Sequence, residues 1–159
     1  MTVECIMGVD PGLNGAISFY FPSHPERVSV DDMPVAGGDI DCVTLAGRIR
    51  QMKPDLAIVE LVHAMPKQGV SSTFKFGSGF GALRGVLAAL EVPTHFVPPT
   101  AWKKHYRLGS DKEQARALAL RLFPAVGDRF ARKKDDGRAE AALIARYAAE
   151  KLIPQRAAA

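Results

Sequence analysis

Hydrophobic and polar positions change period several times along the chain, and each change marks an element. Residues 3–9 (VECIMGV) are β-branched and apolar and predict a strand; Asp10-Pro11-Gly12-Leu13-Asn14-Gly15 is the turn that follows. Residues 15–21 (GAISFYF) alternate well enough for a second strand, and residues 27–33 (RVSVDDM) for a third, which gives a meander. Pro34, Gly37 and Gly38 then break the pattern. Asp41 or Thr44 caps a helix to about Met52, with Val43, Leu45, Ile49 and Met52 on or near its apolar side, and Lys53-Pro54 ends it. Residues 55–62 (DLAIVELV) form an apolar run interrupted by one carboxylate, the mark of a central buried strand.

Residues 63–70 read as a loop. Ser71 or Ser72 caps a longer helix to about Leu90. That helix contains Gly77, Gly79, Gly81 and Gly85, which weaken it, so close approach of some other group to its surface is expected. Residues 94–98 (THFVP) predict a short strand and residues 99–103 (PTAWK) a turn into a basic loop. Ser110 or Asp111 caps a helix to Phe123, ended by Pro124; Asp135 or Asp136 opens the last helix, which runs to about Leu152. The order β-β-β-α-β-α-β-α-α predicts an α/β domain over residues 1–159, with helices flanking a mixed central sheet of about five strands.

Composition narrows the class of protein. With 47% hydrophobic and 24% charged residues the chain reads as globular, and no apolar run is long enough to span a bilayer. The opening MTVECIMGVDPG lacks the features of a signal peptide, so a cytoplasmic protein is expected. Cys5 and Cys42 lie in apolar surroundings without metal-ligand spacing and read as buried free thiols. His24, His63, His95 and His105 are scattered, which leaves no visible zinc site. The net charge of +4 is modest, but its distribution is uneven. Lys103, Lys104, Arg107, Lys112, Arg116, Arg121, Arg129, Arg132, Lys133 and Lys134 face only Asp111, Glu113 and Asp128 in the same segment. A basic stretch directly before an acidic pair suits a phosphate polymer brought to a metal site, although a set of solvated helix faces would give the same count.

The acids carry the chemistry. Asp10 ends one strand, and Glu60 ends another inside the apolar run Ile58-Val59-Glu60-Leu61-Val62. A carboxylate in such a run is unfavourable to bury unless it is paired or bound to a cation. Two carboxylates on neighbouring strand ends would hold hard, oxygen-preferring cations. Asp136 and Glu140 are four residues apart and share a helix face, while Asp135 points further round. Taken one at a time, Asp10 is also a turn residue, and Asp135 and Asp136 are also helix caps; their weight comes from occurring together. Converging acids of this kind support hydrolysis of a phosphodiester with two divalent ions and no protein nucleophile.

In this order the motifs resemble the RuvC-type Holliday junction resolvases of the ribonuclease H-like superfamily. The opening Ile6-Met7-Gly8-Val9-Asp10-Pro11-Gly12-Leu13 is similar to that family's first motif, and Leu56-Ala57-Ile58-Val59-Glu60 to its second. Lys67-Gln68-Gly69 through Gly85, Val97-Pro98-Pro99 to Trp102-Lys103, and Gly109 to Gln114 follow in the family's order. Asp136-Gly137-Arg138-Ala139-Glu140 opens an Ala- and Leu-rich helix as its last motif does. The resemblance covers nearly the whole chain and extends to the compact resolvase-like nucleases of phages. It implies that Asp10, Glu60, Asp136 and Glu140 bind Mg²⁺ (Mn²⁺ substituting), with two ions per site, and that Lys112 lies near the scissile phosphate. It implies a homodimer acting on branched DNA, with the Gly-rich helix at the interface and Phe74, Phe76 and Phe80 as anchors or core. Lys67, Lys75, Lys103, Lys104 and Lys112 would bind backbone phosphates. Trp102 would stack on a base or pack. No small-molecule cofactor and no membrane are implied.

Two departures stand out. The family's last acids are usually two Asp at i, i+3, whereas Gly137 lies three before Glu140; Asp136 is therefore assigned and Asp135 is its rival. His63 falls where the family often carries an aromatic ring. Three other readings compete: a nuclease of the same fold acting on flaps, branched DNA or RNA, an inactive nucleic-acid-binding module, and an actin-like ATP-binding protein.

Overall fold

The computed structural model describes residues 2–154; the remaining positions of the expected 1–159 domain lie outside the described residues. A five-stranded sheet organises the chain. It is built from β1 (Ile6–Asp10), β2 (Ala16–Tyr20), β3 (Val28–Asp32), β6 (Leu56–Glu60) and β7 (Thr94–Val97), in the order β3-β2-β1-β6-β7. The meander β1-β2-β3 is antiparallel, whereas β1 with β6 and β6 with β7 are parallel. The expected mixed sheet of about five strands is therefore present. Between the two halves lie a small hairpin, β4 (Val35–Ala36) with β5 (Asp39–Ile40), and helix α1 (Cys42–Met52). The hairpin was not expected. Gly37 and Gly38 both adopt left-handed conformations, so the residues read as a break in the pattern instead form a tight two-residue turn.

Strand alternation sorts the side chains into two cores. Met7, Val9, Ile17, Phe19, Ala57 and Val59 face α1 and α2 (Val70–Ala89), where Leu45, Ile49, Leu83 and Leu87 bury. Ile6, Tyr20, Val28, Val30 and Ile58 face the opposite side, against α3 (Pro99–His105), α4 (Lys112–Leu122) and α5 (Asp136–Lys151). Trp102, Phe123 and Phe130 are among its largest fully buried side chains.

Helix α5 lies directly across β1, and one glycine makes that possible. A Cβ at Gly8 would meet the Ala141 carbonyl oxygen at 2.2 Å and the Ala145 Cβ at 2.8 Å. The buried Ser18 hydroxyl donates to the same Ala141 carbonyl at 2.7 Å and fixes the helix along the sheet. Arg138, itself buried, extends a bidentate bond from α5 to Asp32 on β3, at 2.7 and 2.9 Å.

Two local expectations are corrected. Residues 99–105 are a helix, α3, with Pro99 in its first turn and Lys103, Lys104 and His105 in its last. Helix α2 starts after Gly69 with no side-chain cap, so neither Ser71 nor Ser72 plays that part. Pro124–Phe130 and Lys133–Asp135 coil as 3₁₀ turns between α4 and α5. Asp41 and Asp111 do cap α1 and α4. Cys5 is buried but Cys42 only partly so, and both are free. No helix among the described residues is long and apolar enough to cross a membrane.

Gly8→Ala should destabilise the protein by roughly 1–3 kcal/mol, because the opposing atom is backbone and has no rotamer into which to retreat. A fall in Tm followed by circular dichroism would bear this out; an unchanged Tm would show that α5 can lift off β1 freely.

Candidate metal centre

Alternation decides where the strand acids point. Ile6, Gly8 and Asp10 share a face of β1, and Ile58 and Glu60 share the same face of β6. The parallel pairing brings both strand ends to one edge of the sheet, under α5. Glu140, one turn into α5, meets them there. Asp10, Glu60 and Glu140 each bring a carboxylate oxygen within 4.8 Å of the others.

The electrostatics are those of an incomplete cluster. Burial, then the neighbouring Glu140 and Glu60, hold the Asp10 carboxyl well above its ordinary range. Burial also raises Glu140, with Glu60 adding to it and Lys103 and Lys112 opposing. Lys112 Nζ pairs with Asp136 at 2.6 Å rather than with the three clustered acids. Three crowded oxygen donors without a cationic partner suit a hard divalent cation, and the donor set contains no thiol or imidazole that would favour a softer metal.

Asp135 and Asp136 part company. Asp135 is 1% exposed and saturated: it accepts from the Arg132 backbone at 2.8 Å and from the Arg132 guanidinium at 2.8–3.2 Å. Against the burial that would raise it, those bonds hold Asp135 below the usual carboxylate range. It anchors the entry to α5. Asp136 lies at the rim, on Lys112, and is not one of the three clustered acids. Gly137 backs directly onto Asp10, since a Cβ there would approach Asp10 Oδ2 and the Asn14 carbonyl oxygen at 3.1 Å. A side chain at that position would crowd Asp10.

An open cleft of about 630 Å³ runs from Asp10 past Asn14, Phe76, Lys112, Arg132, Lys134 and Asp136. Of the expected phosphate-binding lysines, Lys112 lines this cleft, and Lys103 is close enough to lower Glu140. Lys75 is exposed on α2 beside Gly38; Lys67 and Lys104 are exposed and do not line the cleft. His63 is exposed in the loop after β6. Reading the chain residue by residue missed Trp102 as a partner of the acids. It is fully buried, not a base-stacking platform, and its indole N–H donates to Glu60 Oε2 at 2.6 Å.

The fold is similar to that of several solved structures, at 15–17% sequence identity. Its solved counterparts include Thermus thermophilus RuvC in complex with a Holliday junction substrate, at 15% identity over 92% of each chain and a TM-score of 0.60. The yeast mitochondrial Holliday junction resolvase Ydc2 matches at 17% identity over 92% of this chain and 79% of its own, with a TM-score of 0.60. The fowlpox virus Holliday junction resolvase matches at 15% identity over 94% and 99%, again at 0.60. No family model and no curated protein matches the sequence.

Because Asp10 and Glu140 are raised on folding, metal-free protein should draw most stability from these two groups below the ordinary carboxylate range. It should lose stability as the pH rises through their elevated values. Asp10→Asn should flatten that loss and raise Tm at neutral pH in EDTA. A variant less stable than wild type under those conditions would show that Asp10 is not electrostatically strained.

Proposed function

We propose that the chain, as a single nuclease domain, is a structure-selective endonuclease that resolves four-way DNA junctions. The observation that carries this reading is the convergence of Asp10, Glu60 and Glu140 at the edge of a cleft lined by Lys112, Arg132 and Lys134. The resolvase structures of the same fold supply the substrate: two of them are described with Holliday junction DNA.

In this reading Asp10, Glu60 and Glu140, with Asp136 at the rim, hold Mg²⁺ or Mn²⁺, two ions per site. Such ions, when bound, acidify a water and neutralise charge on the leaving oxygen of a phosphodiester. The protein's own part is positioning. Lys112 is held at the rim by Asp136, and its hydrogen bond to that acid keeps it charged. An incoming phosphate takes over the ammonium and draws the scissile bond toward the acids. Lys103 places a second positive charge beside Glu140, and Lys67, Lys75 and Lys104 grip the backbone further out without reading sequence.

A junction has two-fold symmetry, so two sites in a symmetric dimer make paired cuts. Helix α2 offers the surface. Gly77, Gly81 and Gly85 form a stripe at four-residue intervals, and a Cβ on any of them would meet nothing within 4 Å among the described residues. Phe74 is 76% exposed at its N-terminal end. The reading keeps the protein in the cytoplasm, the compartment expected from its sequence.

The deciding assay offers purified protein a four-way junction, linear duplex, flap and RNA–DNA hybrid, each with and without Mg²⁺. Symmetric, metal-dependent nicks confined to the junction are expected. Cutting of flaps or hybrids instead would move the activity to another nuclease class. Binding without cutting would leave a binding module. Asp10→Asn should abolish cleavage while sparing junction binding; full activity would remove Asp10 from the site. Lys112→Ala should lower kcat on the order of 100-fold with little change in binding. Gly81→Glu should strengthen α2 as a helix by nearly 1 kcal/mol yet turn the dimer into a monomer in sedimentation velocity. A Gly81→Glu dimer would place the interface elsewhere.

A further inference from the structure

Helix α3 is short and begins with two prolines, but it makes contacts that a mere connector would not need. At its centre the fully buried Trp102 donates its indole N–H to Glu60 Oε2 at 2.6 Å. One turn on, His105 Nε2 meets Glu150 Oε2 on α5 at 2.6 Å, and the Tyr106 hydroxyl donates to the same oxygen at 3.3 Å. Arg146 Nε holds the other Glu150 oxygen at 2.7 Å. Helix α3 is thus pinned between the strand that carries Glu60 and the helix that carries Glu140. Between those two attachments Lys103 lays its ammonium over the Trp102 ring, 5.4 Å from the centroid.

We infer that Trp102 is a positioning residue for cation binding: its N–H occupies one oxygen of Glu60 and turns the other toward Asp10 and Glu140. The inference rests on the nuclease reading for its cation. Glu60 is 6% exposed, and among the described residues Trp102 is the one side chain that donates a hydrogen bond to its carboxylate, so without the indole that carboxylate would lose its donor and its fixed orientation. A donor behind a ligating carboxylate fixes its rotamer before the cation arrives and spares the entropy of ordering it later. Indole suits the place because it only donates and is never charged. A lysine or arginine there would compete with the cation. Helix α3 brings the ring in rigidly, since its far end is fastened to α5.

The chain has one tryptophan, so its indole N–H gives one resonance in a ¹H–¹⁵N spectrum. That resonance should lie downfield of a free indole, move in Glu60→Gln, where a neutral amide oxygen replaces the carboxylate, and move again as Mg²⁺ is added. A free-indole position that is indifferent to Glu60→Gln would overturn the inference. Trp102→Phe keeps a ring and loses the donor. Its Mn²⁺ affinity, measured by electron paramagnetic resonance without DNA, should fall roughly 10–100-fold while a cooperative melt is retained. Equal affinity in a folded Trp102→Phe would overturn the positioning role and leave the metal site standing. If that variant does not fold, the wild-type indole decides: no movement at Mg²⁺ concentrations that displace bound Mn²⁺ would overturn the inference. Wild type that binds no Mn²⁺ would sink the metal site itself, and this inference with it.

Discussion

The close contact of α5 with β1 is the constraint on which the rest of the molecule depends. Glycine at position 8 removes the side chain that would hold the helix away, and the Ser18 hydroxyl takes up the Ala141 carbonyl that faces it. That contact sets the height of α5 above the sheet. It thereby sets the distance from Glu140 to the two strand acids, because all three point into the same narrow gap. The Arg138–Asp32 bridge fixes the helix laterally, and Asp135 fixes its first turn through Arg132. Three anchors with different chemistry therefore hold one helix, which explains how it can carry an acid into a place where like charges repel.

The energetics of the site run against the energetics of the fold. Hydrophobic alternation on β1 and β6 is broken only at Asp10 and Glu60, and both breaks fall on the face where α5 packs most tightly. Burial and mutual repulsion raise Asp10 and Glu140, so the apo protein stores unfavourable charge where a cation would relieve it. Positive side chains ring this spot without neutralising it. Lys112 is occupied by Asp136, and Lys103 sits over an aromatic ring. Cationic charge is thereby kept near the acids but free for an anionic partner.

Much of this was legible in the chain. The meander, the apolar strand ending in Glu60 and the capping residues Asp41 and Asp111 follow from local periodicity and turn chemistry, and the structure has them. What could not be read depended on tertiary contact. Helix α3 spans only seven residues, too few for a periodic pattern, although Pro99 at its start and three basic residues at its end were a usable signal. Asp135, the rival of Asp136, is held by Arg132, a contact that no local pattern announces. Trp102 and Glu60 are 42 residues apart, and nothing in either neighbourhood announces their bond. The glycines of α2 were expected to meet a close neighbour, yet among the described residues only Gly79 does, against Ile40.

The two cores on opposite faces of the sheet share the strands but few side chains. One supports α5 and the acids, and the other supports α2 and its glycine stripe. Leu83 and Leu87 anchor α2 on the opposite face of the sheet from α5, although Phe76 on the same helix reaches the cleft that Asp10 lines. Such a division lets one face drift while the layer that carries the acids stays under its own separate constraints. An engineer reshaping the outer surface of α2 would accordingly leave the face beneath α5 alone.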